Sequence, residues 1–199
     1  IPLEVRGNTL RYVGRGGLKL EKAMEVFPID LNGCTAADIG ASTGGFTDCM
    51  LQNGVKKVYS VDVGYGELAW KLRSDERVIV LERTNARYLS RAQVPDPLDF
   101  ASVDVSFISL KLIFPALHDL LRERGRVVSL IKPQFEAGRE FVGKKGIVRD
   151  PKVHRMVLEQ YLEHAEAADF SVLDLTYSPI TGQEGNIEYL GFLEKGAGR

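Results

Sequence analysis

The sequence predicts an α/β fold with a mostly parallel seven-stranded sheet, helices on both of its faces and a C-terminal antiparallel hairpin. The first observation is that 199 residues, 44% hydrophobic and 27% charged, are typical of one globular domain. The second is that short apolar runs alternate with segments of helical spacing, the pattern of a parallel sheet covered on both faces. The third is that residues 180–185 alone separate the last two predicted strands, which favours a hairpin.

Each predicted element follows from a local pattern. The first helix, residues 17–27, has apolar side chains near helical spacing and ends before Pro28. The second helix, residues 45–54, ends at Gly54, which suits a left-handed cap. Pro115 is a candidate kink inside a helix over residues 109–125. The other predicted elements are strands at residues 34–40, 56–64, 77–83, 97–106, 125–133, 170–179 and 186–194, and helices at residues 67–75 and 152–168.

Composition limits the possible classes of function. The net charge of -1 argues against holding nucleic acid by bulk charge, so a polyanion would need a local basic patch or a neighbouring domain. The two cysteines, Cys34 and Cys49, form no CxxC pair, and histidines do not cluster. We therefore expect no disulfide framework, no metal site and a cytoplasmic location. No window approaches the roughly 18 consecutive apolar residues of a membrane span, so we expect no membrane partner.

The stretch ADIGASTGGFT predicts a cofactor site, because a glycine turn between a strand and a helix commonly binds a nucleotide moiety. Gly40, Gly44 and Gly45 match neither the dinucleotide pattern G-x-G-x-x-G nor the triphosphate-binding loop. Asp38 would repel a diphosphate but suits a cation such as S-adenosyl-L-methionine, which has no phosphate. Asp62, 24 residues further on, ends the next strand, where an acidic residue takes ribose hydroxyls. A purely structural turn with solvated carboxylates is the alternative.

Four charged residues lie at the ends of predicted elements: Lys19, Asp104, Lys132 and Glu188. Asp104 and Lys132 end the fourth and fifth strands, so a parallel sheet places both at its C-terminal edge beside the glycine loop. Each residue also has an ordinary interpretation. Asp104 could begin a helix, Glu188 could be a solvated strand residue, and both lysines could simply reach solvent.

Together the four residues fit methyl transfer to a ribose 2′-hydroxyl, which requires removal of a proton from a weakly acidic alcohol. A second ammonium group and partial burial favour a neutral lysine that can act as a general base, while nearby carboxylates oppose this effect. We therefore predict that Lys132 is the base and that Lys19 positions the substrate. Asp104 and Glu188 would orient the two lysines.

The stretches RGGLKL, DIGASTGGFT, VDVGYGELAW, ERTNAR, DVSFISL, IKPQFE and GNIEY resemble those of the TlyA family, often labelled hemolysin A. That family is similar to the FtsJ-type ribosomal RNA 2′-O-methyltransferases, which are Rossmann-like class I enzymes dependent on S-adenosyl-L-methionine. The resemblance spans nearly the whole chain. It implies a catalytic K-D-K-E tetrad on the four charged residues identified above.

The resemblance also implies the cofactor contacts and the domain organisation. TlyA-type proteins usually carry an N-terminal S4-like RNA-binding domain, so residues 1–15 would be a linker and residues 16–195 the methyltransferase domain. The partner would be ribosomal RNA or a ribosomal subunit, bound with help from that S4-like domain. The implied cofactor-binding residues are Asp38, Gly40, Ala41, Ser42, Thr43, Gly44, Gly45, Phe46, Asp62, Val63, Asn85 (near the adenine) and Asp104.

Basic side chains near the predicted site are candidates to hold RNA phosphates, which position a substrate without reading its sequence. Tyr12 and Phe141 are candidates to stack a base. Two other functions stay open, a membrane-active hemolysin and a non-catalytic RNA-binding ribosome assembly factor. The candidate phosphate contacts are Arg6, Arg11, Arg15, Arg139, Lys144 and Lys145.

Overall fold

The computed structural model describes residues 11–196 of the chain. Its strands are Thr35–Ile39 (β1), Lys57–Val61 (β2), Val78–Leu81 (β3), Leu98–Val103 (β4), Leu121–Ile131 (β5), Phe170–Tyr177 (β6) and Tyr189–Lys195 (β7). Its α-helices are Gly16–Val26 (α1), Gly45–Gln52 (α2), Trp70–Arg73 (α3), Leu110–Leu120 (α4), Pro133–Glu136 (α5) and Pro151–Ala167 (α6).

The seven strands form one sheet in the order β3-β2-β1-β4-β5-β7-β6. Strands β1 to β5 pair in parallel, and β7 runs antiparallel between β5 and β6. This confirms the predicted sheet and its terminal hairpin. The strand order reverses between β1 and β4, because β2 and β3 are added on one side of β1, and β4 and β5 on the other. In open α/β sheets, ligands bind beyond the carboxyl ends of the strands at such a switch point.

Two apolar clusters cover the two faces of the sheet, so the predicted three-layer arrangement is confirmed. Successive residues of β1 face opposite sides, because strand side chains alternate: Ala36 belongs to one cluster and Ala37 to the other. Helices α1, α2 and α3 contribute to the first cluster through residues such as Leu20, Met50 and Leu72. Helices α4 and α6 contribute to the second through Phe114, Leu117, Val157 and Tyr161.

The prediction was wrong around residues 121–125, which were assigned to a helix. The helix α4 ends at Leu120 and β5 begins at once, because Leu121 pairs with Leu98 on β4 and Arg122 bonds to Asp99. The ladder shifts its register after this first pair, where Arg124 has a positive φ of 60°. Helix α5 was not predicted at all, and α3 is shorter than the predicted helix over residues 67–75.

Candidate active site

An open cleft of about 1120 Å³ lies at the C-terminal edge of the sheet, beside the switch point. Its walls come from the start of α1, the glycine loop, the turn after β4, the segment after β5 and the loop before β7. All four predicted catalytic residues line this cleft. The structure thus brings together side chains that are as far apart in sequence as Lys19 and Glu188.

Two positions of the glycine loop combine a positive φ with too little space for a side chain. Gly40 has a φ of 84°, and a Cβ atom there would collide with the carbonyl oxygen of Asp104. Gly44 has a φ of 102°, and its Cβ would collide with Leu72. Since left-handed backbone favours glycine, both positions need this residue type. The loop can therefore lie directly against the end of β4. Loop residues Gly40, Ala41, Ser42, Thr43, Gly45 and Phe46 line the cleft.

Asp38 lies beneath the loop and does not line the cleft, so its contact with a cofactor stays a prediction. Its side chain is fully buried. One carboxylate oxygen accepts hydrogen bonds from the backbone N and Oγ1 of Thr47, at 3.0 and 2.7 Å, and the other accepts one from Ser102 at 3.3 Å. Burial raises the pKa of Asp38 to about 7, against the effect of these donors. Asp38 therefore supports the glycine loop from below.

Asp62 directly follows β2 and fixes two loops. Its carboxylate accepts hydrogen bonds from the backbone N of Ser42 at 2.6 Å and of Gly64 at 2.8 Å. It also lines a smaller pocket next to the glycine loop, together with the carboxylates Glu67 and Glu82. Glu82 is already ion-paired with Arg73, so Asp62 and Glu67 are the two carboxylates of this pocket that suit a ligand carrying hydroxyl groups or positive charge.

Three further predicted cofactor contacts, Gly44, Val63 and Asn85, lie outside both of these cavities. The Val63 side chain is 74% exposed, at the turn after Asp62. Asn85 is exposed and directly precedes the 3₁₀ turn Ala86–Tyr88. Its side chain accepts a hydrogen bond from the backbone N of Arg87 within that turn. In this arrangement the Asn85 side chain caps a turn, and its contact with an adenine stays a prediction.

The predicted tetrad forms a connected set of ion pairs. The ammonium group of Lys132 lies 2.5 Å from one oxygen of Asp104, and that of Lys19 lies 3.5 Å from the other. Lys19 also lies 3.6 Å from Oε1 of Glu188. Strand β4 ends at Val103 and β7 begins at Tyr189, so Asp104 and Glu188 each lie one residue outside the strand to which the prediction assigned them.

Two polar residues that the sequence analysis missed complete this network. Lys132 donates a hydrogen bond to the hydroxyl of Ser106 at 3.3 Å. Gln134 donates one from Nε2 to Oε2 of Glu188 at 2.8 Å. Glu188 is 2% exposed, so these groups act where water screens charge poorly. The signal in the sequence was that Ser106 and Gln134 each lie two residues from a predicted tetrad member.

An aromatic pair on the cleft wall was also missed. Phe107 and Phe135 contact each other with ring centroids 4.7 Å apart, and the ammonium of Lys132 lies 5.9 Å from the Phe135 ring. Phe107 is 84% exposed and has a φ of 63°, which is rare for a bulky residue. An exposed ring held in such a conformation beside reactive side chains is a candidate for substrate contact.

The basic candidates differ in where they lie. Arg15, Arg139 and Lys145 line the cleft, whereas Lys144 is exposed outside it. Arg11 is ion-paired with Glu21 on α1, and Arg6 lies outside the described residues.

The two stacking candidates differ in exposure. Phe141 is 42% exposed, which leaves its stacking role a prediction. The prediction that Tyr12 stacks a base was wrong, since its ring is buried against Gly17, where a Cβ atom would collide with it.

The loop that carries Lys145 is fastened to the segment before β7. Asn186 accepts a hydrogen bond from the backbone N of Val148 at 3.0 Å and donates one to the carbonyl of Gly146 at 2.8 Å. His154 on α6 bonds to the carbonyl of Val148 and to the hydroxyl of Tyr189, both at 2.8 Å. The loop is therefore held along the cleft by buried polar contacts.

The residues present fit S-adenosyl-L-methionine better than a phosphate-bearing cofactor. The glycine turn lies at the switch point, and the adjacent pocket is lined by carboxylates that would repel a diphosphate. Asp62 follows the second strand, where an acidic residue commonly binds ribose hydroxyls. Residues 40–43 and Gly45 border the cleft. Fold and site together define the class of Rossmann-like methyltransferases that depend on S-adenosyl-L-methionine.

Comparison with known proteins identifies the family within this class. Residues 12–195 match the model of the FtsJ-like methyltransferases. The chain is 59% identical to the provisionally named rRNA methyltransferase YqxC of Bacillus subtilis, covering 96% of this chain and 68% of YqxC. It is 42% identical to the 16S/23S rRNA (cytidine-2′-O)-methyltransferase TlyA of Mycobacterium tuberculosis, covering 92% of this chain and 68% of TlyA. This chain therefore belongs to the FtsJ-like methyltransferase family.

A solved structure agrees with this assignment. A provisionally named hemolysin from Lactococcus lactis superposes with a TM-score of 0.91 at 58% identity, covering 94% of this chain and 89% of that one. The resemblance to the TlyA group is confirmed by these relatives. The domain boundary between residues 15 and 16 and the individual cofactor contacts stay predictions.

Proposed function

We propose that this chain is an S-adenosyl-L-methionine-dependent methyltransferase that modifies a ribose 2′-hydroxyl of ribosomal RNA. The observation that carries the proposal is the convergence of Lys19, Asp104, Lys132 and Glu188 in one cleft beside the glycine loop. Relatives named as rRNA methyltransferases support the substrate class, and ribosomal RNA as substrate implies a cytoplasmic location.

The chemistry assigned to the chain's own residues is proton removal and orientation. When bound, S-adenosyl-L-methionine supplies a methyl group activated by its sulfonium centre. Lys132 takes the proton from the attacking 2′-oxygen, for which it must first be in the neutral amine form. Asp104 holds the amines of Lys132 and Lys19 on its two oxygens, so the two positive charges lie on either side of one carboxylate. Lys19 positions the acceptor, and Glu188 holds Lys19 from the opposite side.

The cofactor would be held by the carboxylate of Asp62 and by the backbone along residues 40–45. Asp38 contributes indirectly, through Thr47 and the shape of the loop. The contacts assigned to Val63 and Asn85 rest on the family resemblance. The assignment of Asp62 follows from the smaller pocket, which it lines together with Ala41 and Ser42 of the glycine loop.

RNA would enter the cleft on the side where Arg15, Arg139 and Lys145 lie. Such side chains attract phosphates, and the exposed Phe107 ring offers a surface for an unstacked base. With a net charge of -1 overall, the chain depends on this local patch and on an S4-like domain that we expect to precede it.

The two alternative functions are less well supported. No helix among residues 11–196 is long and apolar enough to cross a membrane. A non-catalytic assembly factor would have no need for four ionisable side chains paired at 2.5 to 3.6 Å in a cofactor cleft.

The deciding experiment is transfer of a tritiated methyl group from S-adenosyl-L-methionine to ribosomal subunits that lack the modification. The labelled nucleotide is then mapped, and the position of the label on ribose or base is determined. Ribose labelling by wild-type protein, lost in Lys132→Met, is the expected result. Label on a base, or equal labelling by both proteins, would contradict the proposal.

A further inference from the structure

The side chain of Gln134 makes a contact that the four-residue tetrad does not include. Its amide donates a hydrogen bond from Nε2 to Oε2 of Glu188 at 2.8 Å. Glu188 is 2% exposed, and its other oxygen lies 3.6 Å from the ammonium of Lys19, beyond ordinary hydrogen-bond length. Among the residues that the structure describes, Gln134 is the side chain that supplies Glu188 with a direct hydrogen bond.

The orientation of the amide is fixed by its partner. An ionised carboxylate only accepts hydrogen bonds, so the nitrogen of Gln134 must face Glu188 and its oxygen must point away. A neutral donor of this kind satisfies a buried carboxylate without adding a charge to it. Hydrogen bonds to charged groups are stronger than those between neutral groups, which makes this contact a substantial constraint on the Glu188 side chain.

The backbone that carries Gln134 is itself tightly held. It lies in the short helix α5, which begins with Pro133 directly after Lys132. The backbone N–H groups of Phe135 and Glu136 donate to the carbonyl of Lys132 at 2.9 and 3.1 Å. At the end of α5, Glu136 accepts hydrogen bonds from the hydroxyl of Ser109 and the backbone N of Leu110, at 2.7 and 2.9 Å. The turn is thus fixed to β5 on one side and to the start of α4 on the other.

This placement connects the two halves of the tetrad. Lys132, paired with Asp104, and Gln134, bonded to Glu188, belong to the same helical turn. We propose that Gln134 is a positioning residue that holds the Glu188 carboxylate beside Lys19 and at a fixed position relative to Lys132. This inference rests on the proposed function and adds to it a residue that acts through Glu188 without touching the reacting atoms.

The test uses Gln134→Met, which keeps the size of the side chain and removes the donor. We expect kcat for ribose methylation to fall roughly 10- to 100-fold, the size of effect typical for a lost hydrogen bond to a charged group. Calorimetric affinity for S-adenosyl-L-methionine and the KM for RNA should stay near the wild-type values. Gln93→Met is the matched control, because Gln93 is exposed and bonds only to Ser90 among the described residues.

A second variant, Gln134→Glu, distinguishes the effect of the hydrogen bond to Glu188 from the effect of side-chain size. The introduced carboxyl would face Glu188 and could donate to it only when the two acids share a proton, which occurs more readily as the pH falls. The activity of Gln134→Glu relative to wild type should therefore rise towards acid pH, whereas that of Gln134→Met should not. The other charged groups at this site are Lys19, Asp104 and Lys132, with Arg15, Arg139, Lys145 and Glu184 on the cleft wall.

Crystal structures of the two methionine variants provide a readout that does not depend on activity. In Gln134→Met, the Glu188 carboxylate should leave its position beside Lys19, while Gln93→Met should keep it. An unmoved Glu188, or unchanged kcat in folded Gln134→Met, would overturn the inference. If wild-type protein transfers no methyl group, the proposed function fails, and the position of Glu188 still decides whether Gln134 holds it.

Discussion

The fully buried carboxyl of Asp38 predicts a specific dependence of stability on pH, tested by Asp38→Asn. In wild type, one oxygen of Asp38 accepts both hydrogen bonds from Thr47, and the other faces Ser102. An asparagine can place its oxygen towards Thr47 and its amide nitrogen towards the hydroxyl of Ser102. The substitution therefore keeps the hydrogen-bonding geometry and removes only the titration.

The magnitude follows from the raised pKa. Burial raises the pKa of Asp38 from 3.8 to about 7, so the folded state holds its proton over a range in which the unfolded chain has already lost it. The stabilising contribution is complete below the unfolded value and is lost as the pH rises through the folded value. At 1.36 kcal/mol for each unit, the whole range corresponds to about 4 kcal/mol, of which about 3 kcal/mol falls between pH 5 and pH 8. The Asp38→Asn variant would have no such loss, since an amide does not titrate.

The assay is urea unfolding of wild type and Asp38→Asn at several pH values between 5 and 8. The free energy of unfolding of the variant, relative to wild type, should increase by about 3 kcal/mol across this range. Asp174→Asn, at an exposed position on β6, is the control and should show no such trend. Parallel curves for wild type and Asp38→Asn would refute the reasoning. We also expect Asp38→Ala to weaken cofactor binding by releasing Thr47, and Asp38→Asn to preserve it.

Three other predictions concern the cleft. Lys132→Met should lower kcat by about 10²–10⁴-fold with little effect on calorimetric affinity for S-adenosyl-L-methionine, and equal losses in both would make the lysine a cofactor or structural residue. Asp62→Ala should weaken cofactor binding about 10-fold or more, because both loop contacts and the ribose acceptor are lost; unchanged affinity would remove that assignment. Asn186→Ala should free the loop at Lys145, so that trypsin cleaves there faster and the KM for RNA rises, whereas wild-type cleavage rates would show that Asn186 does not hold the loop.

Most of the fold was predictable because its strands are strongly patterned. Strand β1 is buried on both faces, and its sequence TAADI is short, mostly apolar and directly followed by a glycine. The error at residues 121–125 arose because Leu121 and Arg122 continue the helical spacing of α4. Pairing of Leu121 with Leu98, a contact between distant parts of the chain, overrides that local preference.

The sequence predicted which residues form the site more completely than it predicted which atoms each of them contacts. The positions of Asp104 and Lys132 were predictable because parallel strands bring their carboxyl ends to one edge. Lys19 on α1 and Glu188 before β7 were grouped with them because the four side chains together fit one chemistry. Asp38 shows the limit of this reasoning. Strand position alone did not indicate that Asp38 faces inwards, below the loop. That orientation depends on the contact with Thr47 across the first turn of α2.

The arrangement of charges also explains why the two lysines need the fold. In isolation each lysine would lie in water as an ordinary ammonium group. Here they approach the same carboxylate from α1 and from the end of β5, and Asp104 is held between them by the backbone that follows β4. The paired arrangement of the two amines around one carboxylate is therefore a property of the assembled sheet edge, which is why a substitution at Asp104 should affect both lysines together.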